Sequence, residues 1–380
     1  MSSDDDRPSG PDIEHYLALD VVRVMSAIAV LFWHYQHFFM PSALTQVTAA
    51  QRALSPLYGF FKPLYDHGYI AVQIFWILSG FIFAAVYVER AATTASFFWA
   101  RFARLYPLHL LTLIIVGILQ YVSVAVAGHE QIYTNNNLYH FALQIFFVSE
   151  WGWQQDNSFN GPIWSVSVEI LIYLAFWSVL PILRKSQSNP AIAIALFCWL
   201  LANFSPVAWH AVWACGSYFF AGAAMWRIHS KSRTSPIVIS CASGVFLFWG
   251  IIILANWPNL ENKIAVPLIS IGLLGLALAV DRSPLHRYCE PAKPLGNLTY
   301  GVYLWHVPLQ IAVLIAIQHW GASRLMYSPF FLLGFIISVL IVSVVSYRYF
   351  EKPMRLAFRR MDRAANQNTP STSVKHRPES

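Results

Sequence analysis

Long apolar stretches alternate with short polar connections along almost the whole chain. Each stretch is long enough for an α-helix to cross a hydrocarbon core of about 30 Å. We predict ten spanning helices, at residues 20–39, 68–88, 105–127, 162–184, 190–206, 209–227, 236–255, 264–280, 297–319 and 328–349. One further apolar segment, 138–150, is too short to span, and we interpret it as an interfacial or re-entrant piece.

The same pattern defines the organisation of the chain. A polar N-terminal tail at 1–14 precedes a transmembrane domain at 15–356. The remaining residues, 357–380, are basic and polar, and we expect them to form a disordered tail. Spanning helices therefore fill nearly the whole chain, which leaves no room for a separate soluble catalytic domain.

Composition agrees with this pattern and excludes other classes of protein. Hydrophobic residues make up 57% of the chain, charged residues 11%, and the mean hydropathy is +0.49. These values predict an all-α, multi-pass membrane protein surrounded by membrane lipid. A net charge of +7 is also typical of nucleic-acid-binding proteins. We expect no nucleic-acid partner, because the basic residues gather in loops on one side of the predicted membrane domain.

The basic residues also predict the orientation of the chain. If the N-terminus is cytoplasmic, the outer loops hold only Arg52, Lys62, Lys263 and Arg324. The inner loops then hold Arg90, Arg101, Arg104, Arg184, Lys185, Arg227, Lys231, Arg233, Arg282, Arg287 and Lys293, followed by the tail from Arg348. Cytoplasmic loops of membrane proteins carry such an excess of positive charge. We therefore predict about ten transmembrane helices with both termini in the cytoplasm.

Two basic residues lie inside the first apolar stretch. Arg23 and His34 are eleven residues apart, which is close to a whole number of helical turns, so both lie on one face of a helix, about 16 Å apart. Ionisable groups at membrane depth cost free energy unless they face a protein interior or a water-filled cavity, and they therefore indicate function. On spacing alone the alternative stays open: Arg23 extends to the membrane surface and His34 makes a structural hydrogen bond.

A carboxylate lies at a comparable predicted depth. Glu169 is about seven residues below the outer end of its helix, and His34 is about five residues below the outer end of the first. A carboxylate beside an imidazole fixes its tautomer and raises its basicity, which suits a general base for a hydroxyl nucleophile. The alternative is that Glu169 pairs with some other buried polar group.

Other polar residues indicate a ligand site on the inner side. Arg101 and Arg104, at positions i and i+3, direct two guanidinium groups the same way, which suits the phosphates of a nucleotide-like ligand. Anchoring at the positive side of the membrane explains them equally well. The small pair Ser79 and Gly80 either admits the thin chain of a ligand or allows close helix packing.

The ninth predicted helix carries a tyrosine and a histidine on one face. Tyr303 and His306 are one turn apart, and His306 lies about 15 Å from the predicted cytoplasmic surface. Taken alone, His306 fits a structural hydrogen bond and a site residue equally well.

Six segments, taken together and in this order, resemble the acyltransferase 3 family of bacterial integral-membrane acyltransferases. The first is a basic residue, ten intervening residues and a histidine, here Arg23 to His34. The others are GYIAVQIFWILSGF, RFARLYP, IWSVSVEILIY, LGNLTYGVYLWHVPL and YRYFEKPMR. The resemblance covers about residues 14–356. Two positions depart from it: Gln73 stands where many members carry Asp, and Arg101 lacks an adjacent arginine.

The resemblance implies a ten-helix enzyme of the bacterial inner membrane. Members take an acyl group, usually acetyl, from cytoplasmic acyl-CoA and deliver it to a hydroxyl of a glycan or glycolipid. Acyl-CoA is thus a co-substrate, and neither a bound cofactor nor a metal site is expected. By this likeness His34 is the catalytic histidine and Arg23 its partner. The acyl-CoA site is expected to contain Arg101, Arg104, Ser79, Gly80, Tyr303 and His306.

Two mechanisms and two other functions stay open at this stage. His34, oriented by Glu169, either deprotonates the acceptor hydroxyl or carries the acyl group covalently. Arg23 contacts either CoA or a thioester-derived oxyanion. A transporter or flippase would instead use His34, Glu169 and Arg23 as a proton relay. That alternative consumes no acyl-CoA and leaves the Arg-x-x-Arg element unexplained, and a non-catalytic scaffold would need none of these buried groups.

Overall fold

The computed structural model describes residues 16–40, 47–154, 156–204 and 207–367. Within these ranges the chain forms helices and no strands. The helices are α1 Leu17–His34, α2 Ala49–Arg52, α3 Tyr58–His67, α4 Ala71–Tyr87, α5 Thr94–Ala127, α6 Leu138–Ile145, α7 Ile163–Lys185, α8 Pro190–Phe204, α9 Val207–Lys231, α10 Pro236–Asn256, α11 Val266–Asp281, α12 Ala292–Gly296, α13 Thr299–Trp320, α14 Pro329–Ser346 and α15 Lys352–Gln367. Short 3-10 and π segments join several of them, including a 3-10 turn, Tyr35–Phe39, that continues α1.

Eight helical segments of the described chain are long and apolar enough to cross a membrane. They are Leu17–Phe39, Tyr58–Tyr87, Thr94–Ala127, Ile163–Lys185, Pro236–Asn256, Pro258–Asp281, Thr299–Trp320 and Pro329–Met361. The remaining two predicted spans coincide with the shorter apolar helix α8 and with α9. The prediction of an all-helical, multi-pass membrane protein is therefore confirmed.

Helices α4 and α9 pack at backbone contact through two glycines. A Cβ atom on Gly80 would overlap the carbonyl oxygen of Phe219, and one on Gly222 would overlap the carbonyl oxygen of Ile77. Small residues allow two helices to approach this closely in a membrane, where van der Waals contact drives helix association. Gly80 therefore fixes the position of α4 in the core.

The segment between α5 and α7 folds back into the helix bundle. Its polar side chains Gln144, Ser149, Ser158 and Asn160 are fully buried. The Asn160 amide donates hydrogen bonds of 3.1 Å each to the Thr112 hydroxyl on α5 and to a carbonyl on α13. A re-entrant segment behaves in this way, because buried irregular backbone needs polar partners supplied by neighbouring helices. As a consequence, α7 begins inside the bundle.

The last described helix departs from the expected disordered tail. Residues 357–367 belong to α15, so the prediction of a disordered tail is wrong for these residues. The reason is an aromatic contact: Phe358 stacks on Trp99 of α5, with ring centroids 5.6 Å apart, and meets Phe102 edge-on. The predicted N-terminal tail, 1–14, and residues 368–380 lie outside the described residues.

Candidate functional site

A cavity lies in the middle of the bundle, between α1, α4, α5, α7 and α13. Its volume is about 100 Å³. Its polar lining consists of Arg23, Ser79, Arg101, Arg104, Ser165, Glu169, Tyr173, Thr299, Tyr300 and Tyr303. Most of the polar residues singled out in the sequence therefore meet in one place, although they come from five separate helices.

Three arginines form one end of this cavity, which we call the arginine end (Arg23, Arg101 and Arg104). Arg23 holds an ion pair of 3.3 Å with Asp20, one turn away on α1. The guanidinium of Arg101 lies 4.7 Å above the ring of Phe83, and its buried Nε has no hydrogen-bond partner. Across the described residues, neither Arg101 nor Arg104 has a carboxylate within ion-pair distance. Arg101 and Arg104 thus face the cavity without a close ion pair in the described chain, which leaves their guanidinium groups able to bind an anionic ligand.

The Arg-x-x-Arg spacing directs both arginine side chains into the cavity. Arg101 and Arg104 lie in the second and third turns of α5, a single helix of 34 residues that runs through Pro107. Both line the cavity rather than the surface of the bundle. A fourth positive charge, Arg355 of α15, lies close enough to Arg104 to repel it.

Glu169 belongs to the arginine end. Its carboxylate accepts a hydrogen bond of 2.7 Å from Tyr173, one turn along α7, and it faces the charges of Arg104 and Arg101. The sequence places Glu169 beside His34, whereas the described contacts of the His34 ring are to Val30, His37 and His306.

The positions of Glu169 and His306 along their helices explain why Glu169 does not lie beside His34. Ser165 of α7 bonds Tyr303 of α13 at 2.7 Å, and the two helices run antiparallel. Glu169 lies one turn beyond Ser165 toward the arginine end, while His306 lies one turn from Tyr303 in the opposite direction. At 1.5 Å per residue, Glu169 and His306 are roughly 10 Å apart along the helix axes. The sequence estimate assumed that α7 starts at the membrane surface, but it starts inside the bundle, below the buried segment that ends at Pro162.

Beyond the cavity, the other end of the site is a histidine cluster of three imidazoles (His34, His37 and His306), none of which lines the cavity. The ring of His34 lies 4.7 Å from that of His306 and 5.1 Å from that of His37, measured between centroids. Nδ1 of His34 lies 3.0 Å from the Val30 carbonyl oxygen. Since a carbonyl only accepts, Nδ1 carries the hydrogen and Nε2 of the neutral ring carries a lone pair. This tautomer is the one that a general base requires.

A glutamine fixes the position of the cluster. Gln310 donates through Nε2 to the His34 carbonyl at 2.7 Å, so its Oε1 faces His37 and accepts from Nδ1 at 3.2 Å. Sequence reasoning missed Gln310, although it lies four residues after His306 and therefore on the same face of α13. Among the described residues, no group of three or more His, Cys, Asp or Glu is arranged to hold a metal ion.

His306 and Gly80 lie outside the cavity to which the sequence assigned them. His306 is fully buried and contacts His34 rather than the arginine end. The sequence already indicated that His306 and His34 lie at a similar depth, since His306 is about as far from the predicted inner surface as His34 is from Arg23. Gly80 points at Phe219 of α9, and only its neighbour Ser79 lines the cavity. Successive residues of a helix point about 100° apart, so the two cannot share one face.

Tyr303 connects the two ends. It lines the cavity, and its hydroxyl bonds both Ser165 and the Pro162 carbonyl, at 2.7 and 2.9 Å. Its ring lies 6.1 Å from that of His306. Tyr303 thus lies between the cavity with its arginines and the histidine cluster. Tyr300, which lines the arginine end and donates to the Leu105 carbonyl at 2.8 Å, follows the same helix face.

Comparison with known proteins agrees with this architecture. The acyltransferase 3 family model, described as an acyltransferase domain, matches residues 16–347. Acyltransferase MdmB of Streptomyces mycarofaciens is 31% identical over 200 residues, covering 50% of this chain and 46% of that protein. Peptidoglycan O-acetyltransferase OatA of Listeria monocytogenes is 23% identical over 338 residues, covering 76% and 51%. Exopolysaccharide production protein ExoZ of Rhizobium meliloti is 25% identical over 307 residues, covering 76% and 89%.

Two limits of these matches bear on function. The chain spans about half the length of MdmB and OatA. No solved structure matches it significantly.

Proposed function

Because the chain belongs to the acyltransferase 3 family, we propose that it is a membrane O-acyltransferase. It moves an acyl group, acetyl in the simplest case, from cytoplasmic acyl-CoA to a hydroxyl of a glycan or glycolipid. Both chain ends then lie in the cytoplasm, and the protein resides in the bacterial inner membrane. One observation carries the proposal: Arg101 and Arg104 direct positive charge into a cavity whose lining residue Tyr303 contacts His306, and His306 in turn contacts His34.

The arginine end supplies the binding site for the donor. Guanidinium groups bind phosphates through two parallel hydrogen bonds, and those of Arg101 and Arg104 have no competing carboxylate within ion-pair distance in the described chain. The cavity has a volume of about 100 Å³, so we place the thin pantetheine arm inside it and the nucleotide outside it. Ser79 and Tyr303 then line the route along which the thioester approaches His34.

The histidine cluster supplies the chemistry. Nε2 of His34 removes the proton from the acceptor hydroxyl as the oxygen attacks the thioester carbonyl, and the carbon–sulfur bond then breaks. Holding hydroxyl and thioester together converts an encounter into a first-order step. Arg23 lines the donor cavity and already holds Asp20, so we assign it to CoA rather than to the oxyanion.

The class of acceptor follows from the relatives. OatA is named for peptidoglycan O-acetylation and ExoZ for exopolysaccharide production. We therefore propose a surface polysaccharide or its lipid-linked precursor as the acceptor.

Mass spectrometry of surface glycans tests the activity directly. A deletion strain is complemented with the unmodified gene or with His34→Ala, and expression is matched by immunoblot. We expect the acyl substituent to return only with the unmodified gene. Full acylation with His34→Ala would show that His34 is not the base.

Single-turnover incubation of the purified full chain with labelled acetyl-CoA and no acceptor separates the two mechanisms. Label that stays on the protein and maps to His34 indicates a covalent relay. We expect no retained label, because general-base catalysis transfers the acyl group directly. Consumption of acetyl-CoA with glycan present also separates an acyltransferase from a transporter, which would leave the donor intact.

A further inference from the structure

One buried nitrogen of the histidine cluster has no role in the function proposed above. Nε2 of His306 has no hydrogen-bond partner in the part of the chain that the structure describes, and the residue is completely buried. Leaving a buried polar atom without a partner costs free energy, so such atoms are rare in proteins and call for an explanation.

Hydrogen bonding defines which nitrogen of His306 carries the hydrogen. Nδ1 lies 3.3 Å from the Val302 carbonyl oxygen, so it donates and leaves a lone pair on Nε2. His34 is in the same state, because its Nδ1 donates to Val30. The neighbouring rings therefore each carry one unprotonated nitrogen.

The separation of the rings suits a shared proton. Their centroids are 4.7 Å apart, with an interplanar angle of 49°. A hydrogen bond of about 2.9 Å between two ring nitrogens places the centroids about 5 Å apart. The centroid distance is thus close to that of a hydrogen-bonded pair, although the two rings are not hydrogen-bonded to each other in this structure.

The surroundings of His34 leave His306 as the group that can accept from the protonated ring. Glu169 lies roughly 10 Å along the helix axes from His306, the ring that contacts His34. His37, the other neighbour, donates to Gln310 through Nδ1, but among the ring nitrogens of the cluster only Nε2 of His306 is buried without a partner in the described chain. A neutral imidazole also avoids an ion pair that would hold the proton too tightly for release.

We propose that His306 is a positioning residue that accepts a hydrogen bond from protonated His34 during acyl transfer. The proposal rests on the function proposed above. The O–H bond of the acceptor breaks and its proton goes to Nε2 of His34, while the oxygen bonds to the thioester carbonyl carbon. The carbon–sulfur bond then breaks and sulfur leaves with the electron pair. The proton, shared with Nε2 of His306 in the meantime, passes to sulfur and forms the CoA thiol.

The test uses the full chain in membranes, labelled acetyl-CoA and the surface-glycan fraction of the source organism. We expect His306→Ala to lower kcat by about 10- to 100-fold and to leave the KM for acetyl-CoA within about twofold. His306→Gln keeps a hydrogen-bond acceptor at this position, and we expect it to recover several-fold of the lost kcat. A merely structural role would predict loss of folded protein with no recovery by Gln.

His109→Ala is the matched control. His109 is also completely buried and hydrogen-bonded on one side only in the described chain, but it contacts Gln144 rather than the histidine cluster. We expect it to lower stability without lowering kcat per folded molecule. If His34→Ala abolishes transfer while His306→Ala leaves it undiminished, the histidine pair alone is overturned. A raised KM for acetyl-CoA in His306→Ala would overturn it as well. No transfer by the unmodified protein would overturn the proposed function together with the pair.

Discussion

The two ends of the site differ in how their polar groups are satisfied. At the arginine end, Arg101 and Arg104 face the cavity with no carboxylate in ion-pair range in the described chain. In the histidine cluster, by contrast, every imidazole is held by an oxygen acceptor, from Val30, Gln310 or Val302. Unpaired permanent charge suits a charged ligand that binds and leaves. A hydrogen-bonded neutral cluster fixes tautomers and suits proton transfer.

In the proposed mechanism, this division keeps the charges of the donor away from the base. Guanidinium groups stay charged at all physiological pH values, and a nearby positive charge disfavours protonation of an imidazole. The layer formed by Tyr303 and Ser165 separates the two ends. A donor with its charge at one end and its reactive group on a long neutral arm fits such a site.

The largest expected effect comes from the histidine cluster. His34→Ala removes the proposed base, and we expect the transfer rate to fall by about 10²- to 10⁴-fold. Binding of CoA, measured by titration calorimetry of the purified chain, should not change, because the arginine end is intact. A variant that loses CoA binding would show that the two ends are not independent.

The next effect concerns the arginine end. We expect Arg104→Gln to raise the KM for acyl-CoA by about 10- to 100-fold, the value of a hydrogen bond to a charged group. The rate at saturating acyl-CoA should change far less. Arg233→Gln, which removes the same charge from an exposed loop, is the control. An unchanged KM with a reduced rate would place Arg104 in the chemical step.

A third prediction concerns the helix behind the cavity. Gly80→Ala forces apart α4 and α9, and we expect it to lower the free energy of unfolding by about 1–3 kcal/mol, measured by thermal unfolding in detergent. Gly244→Ala is the control, since a Cβ atom there meets open space. Normal stability with weakened acyl-CoA use would instead support a place for Gly80 on the acyl route.

The smallest effect is expected for Glu169→Gln. Removing one negative charge beside the arginines should lower the KM for acyl-CoA by about two- to fivefold, the size of a weak charge interaction. The transfer rate should stay within a few-fold, because Glu169 contacts Tyr173 rather than His34. A hundredfold fall in rate at unchanged KM would show that Glu169 orients His34 after all.

Local features of the sequence were sufficient for much of this site. The spacing of Arg23 and His34 is close to three turns, so both lie on one face of their helix. Arg101 and Arg104 form a pair because positions i and i+3 share a face. Features that depend on a partner helix were not predictable in this way. Whether Ser79 or Gly80 faces the cavity depends on the side from which α9 packs against α4. The segment IFWILSGFIF alone does not indicate that side.

The sequence by itself determined the all-helical class, the membrane as solvent and the family, because apolar length and motif order are properties of the chain alone. Tertiary structure decided which buried groups meet. The segment between α5 and α7 packs inside the bundle through Gln144, Ser158 and Asn160, so α7 starts deep and carries Glu169 to the arginines. The packing of the helices sets the depth of each side chain in the bundle. The same packing brings His34 of α1 into contact with His306 of α13.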